Sequence, residues 1–128
     1  MSKIATKLFE EIQEFLSDRK LMFGNDEHLV WCRPTKKMVR VDCFDRDTQR
    51  IIEFFGDYWH ASPKMFQEHE VIKDKSVKEI WERDNARIKN LEASGYDVLV
   101  VWEDEYVNNP TLTKMLCISF LAGESVER

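Results

Sequence analysis

Residues 77–102 read VKEIWERDNARIKNLEASGYDVLVVW, and a change of period inside them decides the fold. From Val77 to Ala93 the apolar residues Val77, Ile80, Trp81, Ile88 and Leu91 recur at helical spacing. Ser94-Gly95 then supplies a C-cap signature. The run YDVLVVW that follows is nearly continuous in its apolarity, which suits a central strand covered on both faces. Upstream, MVRVDCF (38–44) alternates, with Val39, Val41 and Cys43 on one face and Arg40, Asp42 and Phe44 on the other. The turn-prone DRDT and then RIIEFF (50–55) follow, so the two runs read as a β-hairpin closed by Gly56. A helix between a hairpin and an apolar strand implies a mixed sheet with helices packed on it.

Further outward the signals are shorter. Ile4, Leu8, Ile12, Phe15 and Leu16 define an amphipathic helix to about Asp18. His28 to Cys32 reads as a short strand that Pro34 ends, and residues 57–75 read as irregular. Asn109-Pro110 opens a last helix, TLTKMLCISFL, with Asn as cap and Pro at the first helical position. The order is αβββαβα, and the fold class is α/β (α+β): a mixed sheet flanked by helices, one domain over residues 1–128.

Composition narrows the function classes. With 128 residues, 43% hydrophobic and 12% aromatic, the chain has the apolar mass for a core, which argues against disorder. No apolar run approaches the roughly 18 to 20 residues a membrane helix needs, and the charge-scattered start lacks a signal-peptide core. Cys32, Cys43 and Cys117 are odd in number and include no C-x-x-C pair, which argues against a disulfide framework or a cysteine-rich zinc site and suggests a reducing cytoplasm. A net charge of −5 excludes a generic basic nucleic-acid binder.

Polar residues that interrupt apolar patterns mark where chemistry is to be sought. Asp84 falls near the middle of the long helix's apolar stripe, where a carboxylate needs a partner. A salt bridge to Arg83 or Arg87, or a wet helix edge, would also account for it. Glu53 shares a face with Ile51 and Phe55, and Asp42 lies one strand away. Such a pair suits Mg²⁺, which takes one or two carboxylates plus waters and phosphate, although many hairpins carry such a pair for solubility alone. His60 lies just beyond the strand end, beside this potential cluster, whereas His28 and His69 read as surface residues. Glu11 sits at the margin of the first helix's stripe, with Glu10 and Glu14 pointing further away, and a solvated flank describes all three. CRPTKKMVR carries Arg33, Lys36, Lys37 and Arg40 with no acidic residue, a phosphate-contacting patch or an ordinary charged loop. Tyr58-Trp59 is a wedge for a base step or a loop anchor.

Taken in order, VDCF, IIEFFGDYWH and WERDNARIKNLEASGYDVLVVWEDE resemble the very short patch repair endonucleases and the related phage homing endonucleases of the EDxHD group. The resemblance covers Phe9 to Glu103 and is most specific from Trp81 onward. It implies a restriction-endonuclease-like nuclease fold and a DNA endonuclease dependent on Mg²⁺ or Mn²⁺, acting on double-stranded DNA. It further implies that Asp42 is the metal-binding aspartate, His60 the general base or proton shuttle, and Asp84 the helix aspartate that holds His60. Glu11 takes the place of the family's helix glutamate, with Glu10 one residue away as the alternative. Glu53 is then an assisting ligand or a structural residue. The repair enzymes carry a histidine where Phe55 stands and zinc-binding cysteines where Asp57 and Asp104 stand. No structural zinc is therefore expected, and the phage homing or nicking type is favoured over mismatch repair. The same fold with Asp42 and Glu53 as the metal pair, or an idle DNA- or protein-binding module, are the alternatives. The acidic net charge implies that DNA binding relies on local basic residues, on Mg²⁺, or on a partner or dimer mate.

Overall fold

The computed structural model describes residues 2–126 and the backbone throughout that range. Helix α1 (Lys3–Phe15) starts where the Ser2 hydroxyl accepts the Ala5 amide, and it buries Ala5, Leu8, Phe9 and Ile12. It stops three residues short of Asp18, and Phe15 is 69% exposed instead of joining the stripe. Gln13 ties its exit to the sheet, donating to the Leu16 and Arg19 carbonyls and accepting the Leu21 amide.

Strand β1 (Leu21–Cys32) begins well before His28 and pairs antiparallel with β2 (Lys37–Asp45). Phe23 faces Cys43 and His28 faces Val41, so residues 24–27 bulge out opposite the single residue Asp42. Gly24, at φ +62°, allows the chain to leave the ladder there. The bulge corrects the expected facing of β2. Val41 packs with Val30, Phe44, Ile51 and Leu91, whereas Cys43 packs with the opposite layer. His28 is not a plain surface residue either, because its ring stacks on Phe44 at 5.0 Å.

β3 (Arg50–Phe55) completes the hairpin antiparallel to β2 and runs parallel to β6 (Asp97–Trp102). The sheet order is β1-β2-β3-β6, so β6 lies at the edge, not at the centre that its apolar run suggested. Its apolarity has another cause: helices pack on both of its faces. Helix α2 (Val77–Ala93) is the crossover from β3 to β6 and starts at a Ser76 hydroxyl cap. Between β3 and α2 lie a loop and a two-stranded ribbon, β4 (Val71–Ile72) with β5 (Lys75–Ser76), where an irregular segment was expected. A short helix α3 (Glu103–Asn108) separates β6 from α4 (Pro110–Leu121), whose cap is Asn109 as expected.

Three apolar groups hold these parts together. α1 and α4 cover one face of the sheet through Leu8, Phe9, Ile12, Cys117 and Leu121 against Ile52, Phe54 and Val101. α2 covers the other through Leu91 against Val41, Phe44 and Ile51. A third group, Ala61, Ile72, Val77 and Ile80, fastens the loop after β3 onto the start of α2. Each fully buried Leu or Ile contributes about 1.5–3 kcal/mol, so removing one layer would unfold the sheet. No helix among the described residues is long and apolar enough to cross a membrane.

Candidate active site

The bulge that turns β2 also opens it. The β2–β3 ladder runs from Asp45/Arg50 to Cys43/Ile52 and then passes to side chains. The Phe54 amide donates to Asp42 Oδ2 at 2.9 Å, and the Asp42 amide donates to Glu53 Oε2 at 3.0 Å. Both carboxylates are thereby fixed on the α2 side of the sheet. Glu53 is almost wholly buried, and Arg87 of α2 meets its Oε1 at 2.6 Å while donating to the Arg40 carbonyl at 2.8 Å. Burial raises the Glu53 carboxyl above the ordinary carboxylate range, the Asp42 charge adds to the rise, and Arg87 opposes it.

One turn of α2 earlier, Asp84 is 6% exposed and its Oδ2 lies 2.8 Å from His60 Nδ1. An ionised carboxylate only accepts, so this contact selects the Nδ1–H tautomer and leaves the Nε2 lone pair available. Arg83 braces the other oxygen, Oδ1, at 3.2 Å. The salt bridge to Arg83 and the contact with His60 therefore coexist. The His60 ring also lies flat on Phe55, with centroids 4.1 Å apart and planes within 6°. Phe55 thus gives His60 an apolar floor.

Asp42, Glu53, Phe55, His60 and Asp84 line one cleft of about 610 Å³, together with the cations Lys37, Arg83 and Arg87. In an acidic chain this is a local balance of three carboxylates against three cations. Two hard oxygen ligands from Asp42 and Glu53, with no sulfur donor between them, fit a Mg²⁺-type ion that takes its remaining ligands from water and phosphate. Among the described residues no group of three or more His, Cys, Asp or Glu side chains is placed to hold a metal ion.

Glu11 is not brought to this cleft, contrary to the expectation placed on it. It lies at the junction of α1 with α3 and α4, where the Tyr106 hydroxyl donates to Oε1 and Lys114 approaches Oε2 at 3.7 Å. Burial and the Glu11 carboxylate together raise the Tyr106 phenol, which keeps it a donor. Glu10 is exposed on α1. The second carboxylate beside Asp42 is Glu53.

Among the basic residues, Lys36, Lys37 and Arg40 are exposed along the β1–β2 ribbon. Arg33 is exposed as well; its guanidinium donates to the Ala93 carbonyl and its amide to the Ser94 hydroxyl, joining the ribbon's tip to the end of α2. The ribbon also exposes Trp31, Met38 and Leu29, which sequence inspection did not single out. Their alternation with Val30 and Val39 is the signal that could have found them. Tyr58 and Trp59 form an edge-to-face pair on the loop carrying His60, with Lys73 over the Trp59 ring at 4.9 Å. Trp59 remains 58% exposed, so it is no buried anchor. Asp57 and Asp104 lie together, the Asp104 amide donating to Asp57 Oδ1 at 3.3 Å. Burial, then the neighbouring Asp104 and Glu103 carboxylates, raise the Asp57 carboxyl. All three cysteines are buried, and none forms a disulfide.

No family model matches the chain, and neither the curated proteins nor the solved structures contain a significant match.

Proposed function

We propose that the chain is a metal-dependent DNA endonuclease, similar to the very short patch repair enzymes and the phage EDxHD homing endonucleases but with Glu53 in place of the helix glutamate. The observation that carries this reading is the His60–Asp84 contact at 2.8 Å on the wall of the cleft that also holds Asp42 and Glu53. An orienting carboxylate, an imidazole with one nitrogen to spare and a hard-oxygen ligand pair are the parts that phosphodiester hydrolysis by an activated water requires.

Asp42 and Glu53 would hold Mg²⁺ or Mn²⁺, which supplies charge neutralisation at the scissile phosphate. The chain's own residues do the rest. His60 Nε2 takes the proton of an attacking water, and Asp84 keeps the ring in the Nδ1–H tautomer and stabilises the imidazolium that results. Phe55 holds the ring plane, so the proton acceptor stays aimed at one point. Lys37, Arg83 and Arg87 attract the phosphate in a chain that is acidic as a whole. Lys36, Lys37 and Arg40 on the ribbon engage flanking phosphates of double-stranded DNA, and Tyr58-Trp59 presents aromatic surface beside the site. Three cysteines outside any disulfide suit a reducing host-cell cytoplasm. The Asp42/Glu53 pair favours a restriction-like ligand set over one completed by Glu11.

Incubation with supercoiled plasmid, with Mg²⁺, Mn²⁺ or a chelator, tests the proposal. Nicked or linear product that depends on the ion and is lost in Asp42→Asn is the expected result. Intact plasmid under every condition, with shifted mobility in a gel, would assign the chain to an idle DNA-binding module.

A further inference from the structure

We infer that Trp81 is a positioning residue: its indole N–H holds the Ala61 carbonyl and so fixes the His60 turn in the one backbone conformation that lets His60 meet both Asp84 and Phe55. The bond is direct, Trp81 Nε1 donating to Ala61 O at 2.7 Å. Ala61 is fully buried and sits at φ +52°, a left-handed conformation that a residue with a Cβ adopts only at a cost.

The turn's own bonds show why an outside partner matters. His60 donates its amide to Gly56 O, Ala61 to Tyr58 O and Ser62 to Asp57 O, winding residues 56–62 into a compact coil. Those bonds fix amides and early carbonyls, while the Ala61 carbonyl points out of the coil to α2. Residues 81 and 84 are one helical turn apart, so they share a face of α2. That face therefore grips the turn twice, at the Ala61 backbone through Trp81 and at the His60 ring through Asp84. The Trp81 ring packs against the group formed by Ala61, Ile72, Val77 and Ile80, so the indole is held in register by the same contacts. If Ala61 relaxed to a negative φ, the peptide after His60 would rotate. The imidazole would then leave the Phe55 face and the Asp84 carboxylate together.

The kinetic consequence rests on the nuclease reading; the structural one does not. The test therefore has two readouts, kcat for plasmid cleavage and the His60 ring tautomer from ¹⁵N shifts. Trp81→Phe keeps an aromatic ring but removes the N–H. It should lower kcat roughly three- to ten-fold, the worth of one neutral hydrogen bond, with KM unchanged. The Nδ1–H tautomer, dominant in the unaltered protein, should become a mixture. Ala61→Gly removes the penalty on the left-handed conformation, so the double variant should recover at least half of the loss on a logarithmic scale. If W81F loses its cooperative melt, A61G and A61G/W81F are compared instead, and the two should cut within about two-fold of each other. An unchanged tautomer and kcat in W81F, whatever its melting temperature, would overturn the inference, as would a W81F loss that A61G leaves untouched. If the unaltered protein cleaves nothing, the nuclease reading falls, and the tautomer alone decides the role of Trp81.

Discussion

Two aspartates on β2 stand three positions apart and meet opposite fates. Asp45, at the hairpin end, is fully buried and consumed by the fold. Arg19 meets it at 2.8 Å, the Thr48 hydroxyl and Asp47 amide fill its remaining acceptors at 3.0 Å, and Arg19 also caps the Leu121 carbonyl. Asp42, at the bulged end, gives one oxygen to the Phe54 amide and lies with Glu53, His60 and Asp84 on the wall of a cleft. The first carboxylate locks a turn. The second belongs to a set that faces space where a ligand fits. A carboxylate taken out of bulk water is thus no guide to function until its partners are known: partners that close around it stabilise, and partners that open onto a cleft leave chemistry to be done.

The comparison breaks most visibly if variants at the two ends behave alike. His60→Ala should lower cleavage by about 10² to 10⁴-fold while the melting temperature falls only slightly, because Arg83 still braces Asp84. Asp45→Ala should do the reverse. Removing one partner of a buried pair costs about 3–5 kcal/mol, so its melting temperature should drop by roughly 10 °C or more, with kcat preserved in the folded fraction. Scanning calorimetry beside a cleavage time course reads both.

A smaller effect sharpens the contrast through pH. The Glu53 carboxyl is raised above its ordinary value of 4.5, so the folded state holds that proton more tightly than the unfolded chain. The stabilisation is fully present below about 4.5 and is lost as pH rises through the raised folded value. Between those limits the melting temperature of the unaltered protein should decline relative to that of Glu53→Gln. Parallel curves for the two would remove Glu53 as a raised carboxyl from the cleft-facing end of the comparison.

The smallest effects belong to the ribbon. Lys36→Asn, Lys37→Gln and Arg40→Gln together should flatten the salt dependence of DNA binding by about one unit of slope per lost phosphate contact. Asn is chosen at position 36 because the backbone there is left-handed, at φ +54°. Arg33→Gln should leave the slope unchanged and act on stability, since its guanidinium holds the end of α2. A change of slope in R33Q would return that residue to the DNA-binding set.

How far the sequence carried depends on whether each signal was local. The Asp84 carboxylate was legible because it broke the apolar stripe of its own helix, and the Asn109-Pro110 start because capping chemistry is local. Glu11 misled because its role came from the resemblance alone, which does not say what packs on that side of the helix. Its partners, Tyr106 and Lys114, come from α3 and α4, and α3 left no distinct signal between β6 and Asn109. The facing of Cys43 was misjudged because strict alternation along β2 breaks between Val41 and Phe44, where the β1–β2 register also shifts. β6 reads as central but lies at the edge, because apolarity reports how many faces are covered and not how many neighbours are paired. The hydrogen bond from Trp81 to Ala61 had no sequence signal at all, since a left-handed alanine looks like any other.

The most direct test of the account is a cleavage cycle in Mg²⁺ on the unaltered protein, His60→Ala, Asp84→Asn and the double variant, each shown folded by its melt. A working pair predicts that Asp84→Asn, which keeps the shape but favours the wrong tautomer, loses most activity, and that the double variant is little worse than His60→Ala. Losses that simply multiply, or an Asp84→Asn protein that cuts normally, would contradict the account and leave Asp84, like Asp45, a carboxylate that serves the fold alone.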